Sequence, residues 1–336
     1  MTPSNPSADL FRLINGFQVS QAVHVAAVLG IADLLSSGTR DVDGLAKATR
    51  THAGSLYRLL RALSSGGVLR EEEDRKFSLT PMGEYLRSDI PGSRASWAKL
   101  IGRENYWQAW GALSQSIRTG ETAFDHVHGS SVWAYRSTRP EESDIFDHAM
   151  ATITEQIASA AIEAFDFGRY HHLVDLGGGQ GAFIGKVLAT LPGAQGTLFD
   201  QPHVVAQADR TLDPLGVKSR CQVVGGDFFQ SVPAGGNAYI LKWILHDWDD
   251  AASLAILKSC RRAIREDGVL VVVEHVIGPA NIAPDGKFMD LNMLVITGGI
   301  ERTQDEFSAL FESAGFRLTR VVPTKSPLSI VEGIPV

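Results

Sequence analysis

Cysteine is scarce. The chain has two, Cys221 and Cys260, in 336 residues, which excludes a disulfide framework and leaves no paired spacing for a zinc site. Long apolar runs are missing as well: none reaches the roughly 18 consecutive residues that a membrane-spanning helix needs. The start, Met1 to Asp9, is polar and proline-bearing rather than a basic patch followed by an apolar stretch, so no targeting signal is expected there. A cytoplasmic protein without a membrane partner is the default expectation. Positive charge is in deficit, 31 Lys and Arg against 38 Asp and Glu for a net charge of −7, the wrong sign for a phosphate-binding surface. Neither an internal repeat nor a low-complexity segment is visible. What is present is ordinary globular composition, 44% hydrophobic and 21% charged, over a length that exceeds one typical core and predicts two domains.

Residues 10–88 read as helical. Val19 to Leu35 has apolar residues at helical spacing, with Gly38 as a stop. Two short helices follow, Val42 to Thr49 and Ala53 to Ser65, and then a hairpin of Val68-Leu69 and Phe77 to Leu79 around the charged turn Arg70 to Lys76. Helix, helix, hairpin is a winged-helix arrangement, which raises a DNA-binding or ligand-sensing regulator as one reading. Arg58 and Arg61 suit phosphates, but the wing carries Glu71-Glu72-Glu73-Asp74, which a DNA backbone repels. Packing against another subunit is the better expectation. Residues 91–168 are helical and rich in tryptophan, tyrosine and phenylalanine, suited to a bundled core or to a lid over a flat ligand. From 169 onward strands and helices alternate: His172 to Leu176, Gly196 to Asp200, Gln222 to Gly225, Ala238 to Trp243 and Val269 to Glu274 as strands, with helices such as Ala182 to Leu188 and Asp250 to Ile264 between. That rhythm predicts a parallel sheet covered on both faces. Arg317 to Pro323 and Leu328 to Val331 read as a closing antiparallel pair.

Asp175-Leu176-Gly177-Gly178-Gly179-Gln180-Gly181 follows a strand and opens a helix. Its glycines allow a sharp turn and close approach of a ligand to the backbone. Gly177, Gly179 and Ala182, with Asp200 at the end of the next strand, also satisfy the dinucleotide fingerprint, so an NAD-dependent oxidoreductase stands as an alternative. Asp175 lies just before the glycines, Asp200 ends the second strand, and Asp227-Phe228 follows the third. Three acids at three successive strand ends suit a nucleoside with an amino-acid tail, although each alone is a plausible helix cap.

In Leu241-Lys242-Trp243-Ile244-Leu245-His246-Asp247-Trp248 a buried strand runs out into charged residues. This brings His246 to the carboxyl edge of the sheet, where open α/β sheets bind ligands. Glu274 ends the next strand and Glu301 follows Gly298-Gly299-Ile300; either carboxylate is placed to accept the far ring N–H of His246. Asp247, Asp249 and Asp250, and separately His126 and His128, bring a metal to mind. Asp249 and Asp250 suit the start of a helix better, two histidines without a third ligand are a weak site, and no metal is expected.

Together these motifs, with Gly298-Gly299-Ile300-Glu301-Arg302-Thr303, resemble the plant caffeic-acid-type O-methyltransferases and their bacterial natural-product relatives, over nearly the whole chain. The resemblance implies a Rossmann-like class I methyltransferase sheet with closing antiparallel strands in residues 169–336, a helical linker and acceptor lid in 91–168, and a winged-helix dimerisation domain in 1–90. It implies S-adenosyl-L-methionine as cofactor, held by the glycine loop with Gly177 and Gly179, by Asp175, by Asp200 on the ribose, by Asp227 and Phe228 around the adenine, and by Lys242. His246 is then the general base, flanked and oriented by Glu274 and Glu301. Phe146, Met150, Asn292 and Met293 line the pocket of a small aromatic acceptor, and the partners are that acceptor and a second copy of the chain, with no nucleic acid. The match is poorest from Pro91 to Asp144, the part that shapes acceptor choice.

Overall fold

A computed structural model describes residues 5–282 and 284–336. By backbone contacts the chain forms two compact units, Met1–Trp107 with Glu141–Ile153, and Gln108–Pro140 with Thr154–Val336. The segment 91–168 contributes to both. Among the described residues no helix is long and apolar enough to cross a membrane.

In the first unit the helices Gly16–Val28, Ile31–Leu35, Val42–Thr49 and Ala53–Ser65 accompany a small antiparallel sheet. Its strands are β1 (Arg40–Asp41), β2 (Leu69–Glu72) and β3 (Lys76–Leu79), in the order β1-β3-β2. Leu45, Leu60 and Phe77 are fully buried in its core. This is the expected winged helix with two differences. The helix read as Val19 to Leu35 is broken at Gly30, whose left-handed backbone (φ 64°) restarts the chain as a second helix. The charged turn is shorter than expected, because Glu71 and Glu72 belong to β2; Tyr57 donates to Glu71 at 2.8 Å and Ser78 to Glu72 at 2.7 Å.

In the second unit seven described strands form one sheet: β4 (His172–Leu176), β5 (Gln195–Asp200), β6 (Cys221–Gly225), β7 (Ala238–Lys242), β8 (Val269–Glu274), β9 (Phe316–Pro323) and β10 (Ser329–Pro335). The order is β6-β5-β4-β7-β8-β10-β9; β4 to β8 are parallel, while β10 pairs antiparallel with both β8 and β9. The sequence of β8, Val-Leu-Val-Val-Val-Glu, shows no polar alternation, and all six residues are buried, as a parallel strand covered on both faces requires. It draws the Glu274 carboxylate inside. After β4 the chain moves outward through β5 and β6, then returns to the other side of β4 as β7. The connections therefore diverge at the carboxyl ends of β4 and β7, which opens a crevice there. The glycine loop and the Lys242–Trp248 segment both emerge into it.

Candidate active site

Gly177 turns the chain out of β4 at φ 66°, and its N–H binds the Phe199 carbonyl at 2.8 Å. A Cβ on it would lie 2.3 Å from Ile244 Cδ1, so the turn needs glycine. Gly179 (φ 61°) has open space where a Cβ would point, which leaves one side of the loop free for a ligand. Asp175 is 1% exposed, and among the described residues its carboxylate oxygens have no well-formed hydrogen bond, only the weaker pull of the Ile184 N–H. Burial pushes its pKa up to about 7, with Lys242 pulling the other way. Burial brings Lys242 down to about 8, opposed by Asp175, Asp247 and Glu274. The Lys242 ammonium donates to Thr154 Oγ1 at 3.0 Å. An unsatisfied buried acid costs ~1–3 kcal/mol, and an amino group on a bound ligand would supply the missing donor. Asp200 accepts from the Gly179 and Gln201 N–H groups at 2.8 and 2.6 Å, which fixes the carboxylate and leaves lone pairs for hydroxyl groups. Asp227 is exposed and accepts from the Phe229 N–H at 2.9 Å. Phe228, Phe229 and Trp248 meet edge to face at 4.9–6.2 Å, a wall on which a flat base can rest. These residues fit a nucleoside carrying an amino-acid tail.

His246 sits in the short turn Leu245–Asp247 after β7 and is 5% exposed. Its Nδ1 is 2.7 Å from Glu301 Oε1. Its Nε2 is 3.8 Å from Asp247 Oδ1. The ring lies parallel to Trp243, 8° and 6.0 Å apart. Trp243 was expected inside the strand, but it leaves the sheet in a left-handed conformation, φ 55°, a strained state for a bulky residue. Of the two glutamates expected beside the imidazole, only Glu301 reaches it. Glu274 Oε1 instead accepts the backbone N–H groups of Ile244, Leu245 and His246 at 3.0, 2.7 and 3.3 Å. It holds the turn, not the ring, because the end of β8 points its carboxylate into the three N–H groups that the turn leaves free. Glu301 also precedes its helix: Thr303 is the cap and the helix is Gln304–Ser313. The Ile300 N–H binds the His246 carbonyl at 2.9 Å. A Cβ on Gly299 would lie 1.9 Å from that carbonyl oxygen, so this close approach also needs glycine.

Burial alone would lower the His246 pKa, but Glu301, Asp247 and Glu274 outweigh it and raise it to about 9. Burial raises Asp247 to about 6, partly offset by His246 and Arg136. It raises Glu274 to about 7, again opposed by His246. The group titrates as a coupled set, with the imidazolium held among carboxylates.

Comparison with known proteins identifies the family. Residues 110–317 match the O-methyltransferase domain family and residues 11–89 the O-methyltransferase dimerisation domain. The chain belongs to the S-adenosylmethionine-dependent O-methyltransferases. It is 44% identical to phenazine O-methyltransferase PhzM of Lysobacter antibioticus, covering 98% of this chain and 96% of that protein. The crystal structure of LaPhzM superposes with a TM-score of 0.95 at 43% identity, over 99% of this chain and 100% of that one. NcsB1, an O-methyltransferase from neocarzinostatin biosynthesis solved with S-adenosylmethionine and 2-hydroxy-5-methyl naphthoic acid, superposes with a TM-score of 0.81 at 34% identity, over 95% and 96% of the two chains. Membership of this family decides against the NAD-linked and DNA-binding alternatives.

The methyltransferase carries the expected acceptor residues on two helices. Phe146 and Met150 lie on Pro140–Ala164, in the stretch that belongs to the first unit. Asn292 and Met293 lie on Pro284–Ile296 in the second. Asn292 accepts the Trp110 indole N–H at 3.1 Å, and Met293 is 6% exposed. The three aspartates of the turn have three separate partners. Asp247 faces His246, Asp249 caps its helix through the Ala252 N–H, and Asp250 pairs with Arg302. The His128 ring packs against Phe124 and Tyr135. Sequence reasoning missed Thr154, which anchors Lys242, and Arg136, whose charge acts on Asp247. Both sit on helices where nothing in the local pattern distinguishes them from ordinary packing residues.

Proposed function

We propose that the methyltransferase methylates a hydroxyl of a small, flat, polycyclic aromatic natural product, with His246 as general base. The observation that carries the base assignment is the 2.7 Å contact of Nδ1 with Glu301. With the proton on Nδ1 fixed by that carboxylate, Nε2 is the free acceptor in the neutral ring. Asp175, Gly177, Gly179, Asp200, Asp227, Phe228 and Lys242 would hold the cofactor: Asp175 its amino group, Asp200 the ribose hydroxyls, Asp227 and Phe228 the adenine. Bound S-adenosyl-L-methionine supplies a methyl group on a cationic sulfonium. His246 Nε2 takes the hydroxyl proton as that oxygen attacks the methyl carbon in line. The O–CH3 bond forms, the C–S bond breaks, and the new imidazolium is stabilised by Glu301. A free phenol titrates near ~10 and a free histidine near ~6.5. Raising His246 to about 9 narrows that gap and makes the base stronger. General-base assistance of this kind contributes ~10²–10⁴-fold.

The acceptor class is supported by the phenazine and naphthoic acid in the names of the similar proteins and by the aromatic residues between 91 and 168. Phe146, Met150, Asn292 and Met293 are the residues we assign to acceptor binding. A homodimer built on residues 1–90, with 91–168 as acceptor segment and 169–336 as cofactor domain, completes the reading. In the test, His246→Ala is compared with wild type on hydroxylated phenazines and naphthoic acids, and S-adenosylhomocysteine binding is measured by calorimetry. Turnover is expected to fall ~10²-fold or more with binding unchanged. Near-wild-type turnover of the variant above about pH 9, where the wild-type ring is unprotonated, would remove His246 as the base.

A further inference from the structure

Arg302 has no role in the reading above, yet it is 1% exposed and the largest of the fully buried side chains. Its guanidinium uses every donor. Nη1 binds the carbonyls of Leu245 and Ile300 at 3.1 and 3.2 Å. Nη2 binds the Trp248 carbonyl at 3.1 Å, Ser253 Oγ at 3.2 Å and Asp250 Oδ1 at 2.8 Å, and Nε binds Asp250 Oδ1 at 3.0 Å. Its one bonded carboxylate, Asp250, has a side chain 77% exposed, so the pair contributes little Coulomb energy and a buried charge is a poor route to stability alone. The contacts have a different logic. Leu245 and Trp248 bracket the turn that carries His246, and Ile300 is the residue before Glu301. The Arg302 carbonyl also accepts the Ile277 N–H at 2.9 Å, three residues beyond Glu274. A planar fork with five fixed donors can tie these segments together; an ammonium on a flexible stem cannot.

We infer that Arg302 is a positioning residue: by clamping both flanks of the His246 turn to the segment bearing Glu301, it sets the contact between the imidazole and its carboxylate. The consequence for catalysis rests on His246 being the base; the positioning does not. Glu301, Asp247 and Glu274 raise His246, the buried His275 ring is coupled to it by charge, Arg136 and Lys242 act on Asp247, and the Arg302 charge itself acts on Glu274. Arg302→Lys loses the fork and, when buried, readily loses its proton as well, whereas Asp250→Ala leaves the guanidinium charged in place, so a His246 shift shared by both variants reports position rather than charge.

The test is an NMR titration of the His246 ring proton, assigned by its loss in His246→Asn, in wild type, Arg302→Lys and Asp250→Ala. Asp250→Ala changes the exposed first residue of helix Asp250–Ala263 and removes the outer anchor of the fork while leaving the guanidinium in place. The expected result is a His246 pKa lowered by ~1 unit in Arg302→Lys and by less in Asp250→Ala. Alongside it, kcat falls ~10²-fold in Arg302→Lys while KM for the methyl donor holds. A wild-type titration in folded Arg302→Lys overturns the inference. If Arg302→Lys does not fold, Asp250→Ala decides, and a wild-type titration there overturns it equally. A shifted titration together with full activity of His246→Ala would leave the positioning standing and the base assignment fallen.

Discussion

His246 is a neutral acceptor only above its own pKa, so on the proposed mechanism the carboxylates around it set the pH at which the enzyme works. Burial pulls that pKa down, and Glu301, Asp247 and Glu274 raise it to about 9. If His246 is the base, as proposed, activity requires the unprotonated ring, and kcat/KM should climb as pH rises through that region. Glu301→Gln removes the strongest of the raising charges and leaves burial in place. The rising limb should move to lower pH, toward the ordinary ~6.5, while the plateau falls because the imidazolium formed in the reaction loses its counter-charge. Superimposable profiles for wild type and Glu301→Gln would mean that Glu301 does not set the charge of the base. Glu274→Gln should behave differently. Its oxygen serves three backbone N–H groups, so the main effect is on the turn itself. A stability loss of ~1–3 kcal/mol is expected in denaturant titration, with a smaller displacement of the pH limb.

At the scale of elements, the proposed reading assigns the two glycine segments different tasks, one binding and one chemistry. Gly299→Ala would put a Cβ 1.9 Å from the His246 carbonyl oxygen, which forces the Glu301 segment away from the histidine turn. A displacement of ~1 Å at a reacting group costs ~10²-fold, so kcat should drop while S-adenosylhomocysteine binding stays. Gly177→Ala would meet Ile244 at 2.3 Å from a left-handed backbone; it should damage cofactor binding first, and calorimetry separates the two variants. Loss of cofactor binding in Gly299→Ala would merge the two segments into one functional unit. The strands beside these loops were readable in advance because burial on both faces leaves continuous apolar runs, as in β8, and the glycines were readable because sharp turns with close backbone approach favour a residue without a Cβ. The pairing of His246 with Glu301 rather than Glu274 was not, since both glutamates stand at the ends of elements and a one-dimensional pattern carries no side-chain direction. Trp243 continues an apolar strand in sequence, yet its left-handed backbone is imposed by the turn that Glu274 holds. Thr154 and Arg136 act across 88 and 111 residues of chain on Lys242 and Asp247, a separation that periodicity cannot bridge.

For the molecule as a whole, the open question is what covers the beginning of the described chain. The helix Pro6–Ile14 buries none of its own residues. Leu10, Phe11, Leu13 and Ile14 are 58–79% exposed, and Phe17 and Val19 continue the apolar surface at 54% and 60%. A contiguous apolar patch of this kind is characteristic of an interface, and the dimerisation family match begins at residue 11. We propose a second copy of the chain as the occupant; a homodimer would then bring the same patch from each copy to a two-fold axis. Phe11→Glu with Leu13→Glu therefore places four carboxylates in one apolar interface, where each is costly to desolvate. Sedimentation of wild type should give the mass of two chains and the double variant that of one. The variant's S-adenosylhomocysteine affinity should persist, because Asp175, Asp200 and the glycine loop lie wholly in the second unit. A double variant that sediments as two chains would move the interface off this helix. A monomer that still turns over acceptor at the wild-type rate would show that each copy completes its own site.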